Sequence, residues 1–444
     1  MTGLVNGLRT RAAALPRWAQ WLLVAVFMMV LAGVVTARYV HAHPALSPID
    51  EYNYVDAVDK ATRGILAREG QTVDELAREA SSCRGFGMEQ TEVTYVGRCG
   101  IDEPLATYPW DGHSTAGIHS PVYYFSTAWM AQAIMTVVPG LSLITAARLT
   151  GAIWLGLGMV MLAYLIRRTA GSWWLAVWIP VVVCAMPGLR VTNAYISPDA
   201  PNLLCGSAVL LAALLYARGQ WPLWPLIAIS AVVTLVKFQN SFVVIAAFLF
   251  LAWTRIAPRR EDDDGRRPGW AAILVPPAAA LVVGLGWMRM KTALALPSAG
   301  LVGDPQGGVD LTGSLYYIDD SLQGLFTANW PASTEASFFP TLVLWGGIAT
   351  LVSVAWLHPG RGWVERRFAQ SGAVSLLGIG PAVNIAFAAV FGSAVAMQPR
   401  YAMVLIPILA LTTAWSLDRR CLRIAVAVLA VAAYFYAVVS LNVN

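Results

Sequence analysis

The chain has 444 residues, of which 57% are hydrophobic and 12% are charged, and its mean hydropathy is +0.60. Soluble domains average about 25% charged residues, so this composition excludes a soluble globular protein and predicts a polytopic membrane protein. The formal net charge of +5 does not indicate nucleic-acid binding, because no basic stripe interleaves with aromatic residues. We therefore expect membrane lipids, and no nucleic acid, as surroundings and partners.

About eleven transmembrane helices are expected, and the fold class is an all-α polytopic membrane protein. Each of the apolar runs is long enough to cross a hydrocarbon core of about 30 Å. They lie near 18–38, 146–166, 173–189, 198–217, 221–237, 239–254, 270–288, 338–357, 371–395, 400–417 and 421–441. A further apolar run, 121–138, is bounded by Pro121 and Pro139 and opens with aromatic residues.

The distribution of basic residues decides whether 121–138 crosses the membrane. If it does not cross, 14 basic residues beyond residue 149 face the cytoplasm and 5 face outward, and if it crosses these numbers are exchanged. The positive-inside rule favours the first arrangement. We therefore predict an interfacial helix over 121–138 and a multi-pass plasma-membrane protein with a cytoplasmic N-terminus. The long segments 39–145 and 289–337 are then outside, the first with a helix over 50–79.

Two of the five cysteines, Cys83 and Cys99, lie in the first outer segment. Disulfides form in oxidising compartments, so an outer location predicts a Cys83–Cys99 disulfide. The alternative is two free thiols in an irregular loop. Only three lysines accompany abundant Ala, Val and Gly, which indicates a GC-rich genome such as that of an actinobacterium.

Adjacent acids, Asp50 and Glu51, follow the first apolar run, and Asp199 opens a later one. Carboxylates at the mouth of a membrane protein are costly to desolvate and are often present for chemistry. Asp50 is the candidate catalytic base, and its alternative role is to cap the helix that starts at Glu51. Glu51 is a second catalytic candidate that binds an acceptor or a metal, or accepts backbone hydrogen bonds. Asp199 either contacts the donor, a cation or Arg190, or is a first-turn acid favoured by the helix dipole.

Cations at the outer ends of apolar runs are candidates for binding a phosphate. A buried lone cation needs a partner, although a long basic side chain also reaches the interface by snorkelling. Sugar contacts are expected from His119, for which a surface role is the alternative, and from the pair Tyr316 and Asp319. The phosphate candidates are Lys237, Arg289, Lys291 and Arg400.

Several motifs in chain order resemble those of the GT-C glycosyltransferases. The segment 47–52, Ser-Pro-Ile-Asp-Glu-Tyr, resembles the acidic motif of that family's first outer loop, and 119–124, His-Ser-Pro-Val-Tyr-Tyr, resembles the entry to its interfacial helix. Segments 147–149, Ala-Arg-Leu, and 196–200, Ile-Ser-Pro-Asp-Ala, resemble the openings of later spans. Gln-Pro-Arg-Tyr at 398–401 resembles an Arg-Tyr pair that enters a late span. The likeness covers 40–220 well and the remainder loosely.

The resemblance implies a GT-C fold and an enzyme that uses polyprenyl-phosphate-linked sugars on the outer side of the membrane. It implies that Tyr123 binds the acceptor or sugar and that Tyr401 binds the donor beside Arg400. The expected reaction transfers a sugar, with inversion, to a hydroxyl of a cell-wall polysaccharide, lipid or protein. The rival interpretations are a lipid-linked saccharide transporter and a non-catalytic cell-wall assembly partner.

The expected organisation has two parts, a GT-C module at 1–290 that includes the outer loop 39–145, and a lid-like outer loop with C-terminal spans at 291–444. The protein is expected to act as a monomer. No cofactor is required for this chemistry, but the acidic pair leaves open a divalent cation, Mg²⁺ or Ca²⁺. The sequence has no Gly-rich phosphate-binding loop and no zinc-hydrolase motif, which argues against ATP-driven transport and zinc hydrolysis.

Overall fold

The computed structural model describes residues 15–87, 93–258, 266–296, 311–326, 338–357, 362–391 and 398–439. Within these ranges the elements are helical, and strand-like pairing is limited to three isolated bridges. The α-helices are α1 (Arg17–Ala42), α2 (Glu51–Thr62), α3 (Glu75–Cys83), α4 (Pro121–Val137), α5 (Leu143–Ala170), α6 (Trp173–Cys184), α7 (Pro187–Ala194), α8 (Asn202–Ala217), α9 (Trp224–Val236), α10 (Ser241–Ile256), α11 (Trp270–Leu294), α12 (Leu311–Gly324), α13 (Phe338–Val352), α14 (Trp363–Phe391), α15 (Ile406–Ser416) and α16 (Arg420–Val439).

Among the described residues, six helical stretches are long and apolar enough to cross a membrane. They are α1, α5, Phe238–Ile256, α11, Phe339–Leu357 and α16. Helices α6 and α7 form a seventh candidate if the two are counted as one broken span. Their axes differ by 69°, and the break lies just before Pro187, where α7 begins. Helices α8 and α9 and the stretch Arg400–Ser416 are apolar but shorter. The all-α membrane architecture is confirmed, and the number of about eleven spans stays a prediction.

The core of the helical bundle depends on close approaches at glycine. A Cβ on Gly151 of α5 would lie 1.7 Å from the carbonyl oxygen of Asn193 in α7, and one on Gly206 of α8 would lie 2.0 Å from that of Val404. Only glycine lets these backbones meet. The contacts bring α5, α7, α8 and the segment around Val404 together.

The segment between α1 and α5 forms a small folded unit with its own buried cluster. Nearly every side chain of α2 is buried, and α2 packs with α3, α4 and the 3₁₀ turn Ala116–Ile118. The helix expected over 50–79 is instead two helices, because Gly64 and Gly70 take left-handed φ angles of 73° and 76° between them. Helix α4 coincides with the predicted interfacial helix. Of the lid-like loop predicted at 289–337, the structure describes mainly the end of α11 and α12, and the rest lies outside the described residues.

Candidate active site

Asp50 lies directly before α2 in a left-handed conformation, with φ 60° and ψ 0°. Its carbonyl oxygen accepts backbone hydrogen bonds from Asn53 and Tyr54, so its main chain begins the helix. Its side chain makes no capping hydrogen bond. Instead, Oδ2 accepts a hydrogen bond from Nη2 of Arg400 at 3.2 Å, and the carboxylate stays 37% exposed. Asp50 therefore occupies the N-cap position without capping the helix through its side chain, and its carboxylate is left accessible.

Arg400 joins two carboxylates. It lies in the 3₁₀ segment Pro399–Leu405, and its Nε donates to Oδ2 of Asp199 at 3.1 Å while Nη2 donates to Asp50. Its Nη1 also donates to the side chain of Gln398 at 3.3 Å. Since a guanidinium has five N–H donors in one plane, these bonds leave part of its donor capacity free.

Asp199 is fully buried and is surrounded by donors. Lys237 Nζ donates to Oδ1, and the Asn202 side chain donates to the same oxygen at 3.1 Å. Ser197 Oγ donates to Oδ2 at 3.3 Å. Burial raises the pKa of the Asp199 carboxyl, but Lys237 and Arg400 outweigh burial and lower the pKa below its ordinary value. Asp199 is therefore held as a carboxylate.

Lys237 follows α9 in an extended conformation, so the chain breaks before α10 and the ammonium turns inward. Its side chain is 1% exposed and forms a buried ion pair with Asp199. The Lys237 Nζ lies 4.6 Å from the ring centroid of Tyr401, and the Arg400 guanidinium carbon lies 5.5 Å from the same centroid. The Tyr401 ring is thus within cation–π distance of both cations.

The side chain of Glu51, the residue after Asp50, belongs to a different ion pair. Its side chain is fully buried in an ion pair with Arg148, with N–O distances of 2.8 and 2.7 Å. It also accepts the backbone amides of Ser47 and Ile196. Of the roles predicted for Glu51, the structure displays the acceptance of backbone hydrogen bonds.

His119 and Tyr123 lie near the ion pairs of Asp199 but take no part in them. The Nε2 of His119 is 3.4 Å from the hydroxyl of Tyr54, and the hydroxyl of Tyr123 accepts the backbone amide of Ser197 at 3.0 Å. Burial, followed by the nearby charge of Lys237, lowers the pKa of His119 to about 3. His119 is therefore neutral at physiological pH.

Four other predicted residues are exposed or make contacts away from the ion pairs of Asp199. Lys291 pairs with Glu69 at 2.9 Å, and Arg289 is exposed near the end of α11. Tyr316 is 72% exposed on α12, where Asp319 accepts a hydrogen bond from Gln323 at 2.7 Å. Cys83 and Cys99, in contrast, are joined in a disulfide.

The structure thus brings together Asp50, Asp199, Lys237, Arg400 and Tyr401, which we call the outer charge cluster because the sequence predicts an outer location for it. The sequence reasoning missed three groups around it. Ser197 and Asn202 flank Asp199 and hydrogen-bond to it, and their polar side chains at the start of an apolar run were the available signal. The pairing of Arg148 with Glu51 had no local signal, because 97 positions separate the two residues.

The sequence leaves open a divalent cation at the acidic pair, and the outer charge cluster offers it one accessible carboxylate, that of Asp50. The described residues contain no group of three or more His, Cys, Asp or Glu side chains that could hold a metal ion. Both oxygens of Glu51 are occupied by Arg148 and backbone amides, and Asp50 and Asp199 already contact cations. A metal at this place would compete with two fixed positive charges.

Comparison with family models and with curated proteins finds no match. Among solved structures the chain is similar to ArnT from Cupriavidus metallidurans bound to undecaprenyl phosphate, with 14% identity and a TM-score of 0.48 over 91% of this chain and 61% of that one. It is also similar to the Archaeoglobus fulgidus oligosaccharyltransferase in complex with Zn and sulfate, with 15% identity and a TM-score of 0.49 over 93% of this chain and 52% of that one. The chain therefore spans about 61% and 52% of the lengths of these two proteins.

Proposed function

We propose that this chain is a membrane glycosyltransferase of the GT-C type. It moves one sugar from a polyprenyl-phosphate donor to a hydroxyl of an acceptor at the outer face of the plasma membrane. The observation that carries the proposal is the outer charge cluster, in which one accessible carboxylate and two buried cations meet. Glycosyl transfer from a sugar phosphate needs a base and cations in this kind of proximity.

Asp50 is the proposed base, because its carboxylate remains accessible whereas that of Asp199 is buried. The acceptor oxygen attacks the anomeric carbon, and its proton passes to the Asp50 carboxylate. The bond between the anomeric carbon and the phosphate oxygen breaks, and the polyprenyl phosphate leaves with the bonding electrons. Attack opposite to the leaving group inverts the anomeric configuration.

Arg400 and Lys237 are the proposed phosphate-binding cations. Arg400 already contacts the base, so a phosphate bound to its remaining N–H groups lies beside Asp50. The negative charge on the phosphate grows as the bond to the sugar breaks, and a fixed guanidinium stabilises that charge without reorganising. Asp199 holds both cations in place through separate oxygen atoms.

The outer location of the site is supported by the disulfide and by the basic-residue distribution. Cys83 and Cys99 lie in the same segment, between α1 and α5, as Asp50. Disulfides persist in oxidising compartments and are rare in the cytoplasm. The basic residues of the other loops fit a cytoplasmic location of the opposite face.

In this proposal the acceptor is a cell-wall polysaccharide, a lipid or a protein, and the enzyme works as a monomer. His119 and Tyr123 border the cluster and are the proposed acceptor contacts on that side. Tyr316 and Asp319 on α12 are proposed to bind sugar from the segment beyond α11. Arg289 and Lys291 are proposed to contact the donor less directly, since Lys291 pairs with Glu69.

The test uses Asp50→Asn. The purified protein is incubated with radiolabelled polyprenyl-phosphate pentoses and hexoses and with wall extract, and transfer is measured. The wall glycans of cells without the gene are compared by mass spectrometry with those of cells complemented by wild type or by the variant. We expect the loss of one glycan residue, restored by wild type but not by Asp50→Asn.

Asp102→Asn is the matched control, because Asp102 is an exposed acid in the same outer segment. It should restore the glycan fully. Restoration by a normally expressed Asp50→Asn protein would reject the base assignment. Movement of a lipid-linked saccharide across vesicles without product formation would identify a transporter instead.

A further inference from the structure

A buried ion pair, Glu51 with Arg148, lies beside the outer charge cluster but does not touch it. The side chains are 0% and 1% exposed, respectively. Arg148 Nε donates to Oε1 at 2.8 Å, and Nη2 donates to Oε2 at 2.7 Å, which is a bidentate arrangement. The polar atoms of the pair are occupied by each other and by backbone groups, so its role has to be exerted through these neighbours.

Those neighbours are two backbone segments. On one side, Arg148 donates to the carbonyl oxygens of His43 and Ala45 at 2.8 and 2.7 Å, and Glu51 accepts the amide of Ser47 at 2.7 Å. This segment, 43–47, ends three positions before Asp50. The ion pair therefore fixes the chain that leads to the proposed base.

On the other side, Glu51 Oε1 accepts the amide of Ile196 at 2.9 Å. The guanidinium carbon of Arg148 lies 4.8 Å from the ring centroid of the preceding residue, Tyr195. Asp199 follows Ile196 by three positions. The same ion pair thus holds the segments that carry both acids of the cluster.

The conformation of Asp50 makes such a restraint necessary. A left-handed backbone costs an L-residue roughly 1–2 kcal/mol, and it persists only where the surroundings impose it. Glu51 is the next residue, and its side chain is anchored at both oxygens. The Asp50 carboxylate makes no cap hydrogen bond at the helix start and instead contacts Arg400.

Stability alone does not explain a buried ion pair, because well-packed apolar residues of similar volume are often equally stabilising. Apolar residues cannot accept the amides of Ser47 and Ile196, however. Accepting both from one carboxylate sets the separation between the two segments. Glycosyl transfer requires such fixed geometry, because the acceptor hydroxyl has to lie between the base and the sugar of the bound donor.

We propose that Glu51 and Arg148 are positioning residues that set the distance between Asp50 and Asp199 around Arg400 without touching substrate. The proposal rests on the proposed transferase function. It predicts that substitutions that keep both charges but alter the geometry of the pair lower the rate of sugar transfer. The fully folded enzyme should show this loss.

The experiment compares Glu51→Asp and Arg148→Lys with Asp56→Glu. Asp56 is also on α2 and also forms a buried ion pair, with Lys60, but this pair contacts Thr72 and Asp74 instead of the cluster segments. All three variants keep a charged side chain in a buried pair. Folded enzyme is quantified by gel filtration. The kcat per folded molecule is measured with a labelled polyprenyl-phosphate sugar that the wild-type enzyme transfers.

We expect kcat to fall about 10- to 100-fold in Glu51→Asp and Arg148→Lys, as displacement of a reacting group by about 1 Å does, and to change less than about twofold in Asp56→Glu. A structure of Glu51→Asp should show Arg400 separated from Asp50 or Asp199. If the single variants do not fold, Glu51→Gln with Arg148→Gln removes both charges together and gives the same comparison.

The outcomes separate the two proposals. If wild type transfers sugar and Asp50→Asn does not, yet the pair variants keep the wild-type kcat and the Arg400 contacts, the positioning role is overturned and the transferase function stands. If wild type transfers nothing, the transferase function fails. In that case intact Arg400 contacts in the Glu51→Asp structure overturn the positioning role as well.

Discussion

Arg400 Nη2 donates a hydrogen bond to Asp50 Oδ2 at 3.2 Å, although 350 positions separate the two residues in the chain. The contact joins the predicted 1–290 module to the predicted 291–444 segment. The candidate site therefore belongs to neither part alone.

Replacing Arg400 by lysine should impair transfer strongly even though the charge is kept. A single ammonium cannot reproduce the planar fork that reaches Asp50, Asp199 and Gln398 at once. We expect kcat/KM to fall by about 100- to 1,000-fold, as for loss of one preorganised charge-stabilising donor. Arg98→Lys, a matched change at an exposed arginine between α1 and α5, should stay within about twofold, and equal effects of both variants would contradict the assignment.

Lys237→Met should destabilise the protein more than a typical substitution does. It leaves the buried Asp199 with one cation fewer, and breaking a buried ion pair costs about 3–5 kcal/mol. Thermal unfolding in detergent measures the loss. Adding Asp199→Asn to Lys237→Met removes the unpaired charge and should recover most of the stability but none of the transfer activity. A double variant that recovers activity would show that the two charges serve only folding.

The candidate site could be predicted from the sequence one residue at a time but not as an assembly. Asp50, Asp199, Lys237 and Arg400 each stood out because a charged side chain interrupted or bounded an apolar run. Nothing in a single sequence tells which of them pair, since the closest two in the chain, Asp199 and Lys237, are 38 positions apart. The long apolar helices could be predicted because hydropathy is a local property of the sequence. Pairing between distant charged residues is not local and could not be predicted.

The different directions of the Asp50 and Glu51 side chains show a second limit of prediction from the sequence. Adjacent residues at the start of a helix point in different directions, so one faces Arg400 and the other faces Arg148. The sequence identified both as candidates but could not tell which side chain is accessible. That distinction depends on the left-handed turn at Asp50, a conformation for which aspartate gives only a weak local signal.

Removal of the Cys83–Cys99 disulfide should destabilise the segment between α1 and α5 but not the long apolar helices. Cys83 and Cys99 close a loop with a sequence separation of 16, for which the chain-entropy model gives about 3 kcal/mol. In Cys83→Ser with Cys99→Ser, hydrogen exchange of α3 should accelerate while that of α5 stays unchanged. Cys421→Ser, which alters an exposed free cysteine, is the control. Unchanged exchange in α3 would mean that packing alone holds this segment.

His119 should make the protein less stable as the pH falls. The folded state lowers its pKa to about 3, whereas the unfolded chain has a pKa near 6.5, so the unfolded chain binds the proton first. The penalty begins below about pH 6.5, grows by at most ~1.4 kcal/mol per pH unit, and levels off below about pH 3. His119→Gln should therefore lose less of its unfolding midpoint than wild type between pH 7 and pH 4.5. Parallel curves for the two proteins would contradict a neutral His119 in the folded state.

Chelation of divalent cations should leave sugar transfer almost unchanged. Lys237 and Arg400 already supply two positive charges at the place where a metal would assist the leaving phosphate. Glu51 is occupied by Arg148 and by two backbone amides, so the acidic pair offers a metal only one available carboxylate. We expect transfer in EDTA to stay within about twofold of transfer in Mg²⁺ or Ca²⁺. An activity that disappears in EDTA and returns with one of these ions would place a metal at Asp50 and would require Arg400 to move away from it.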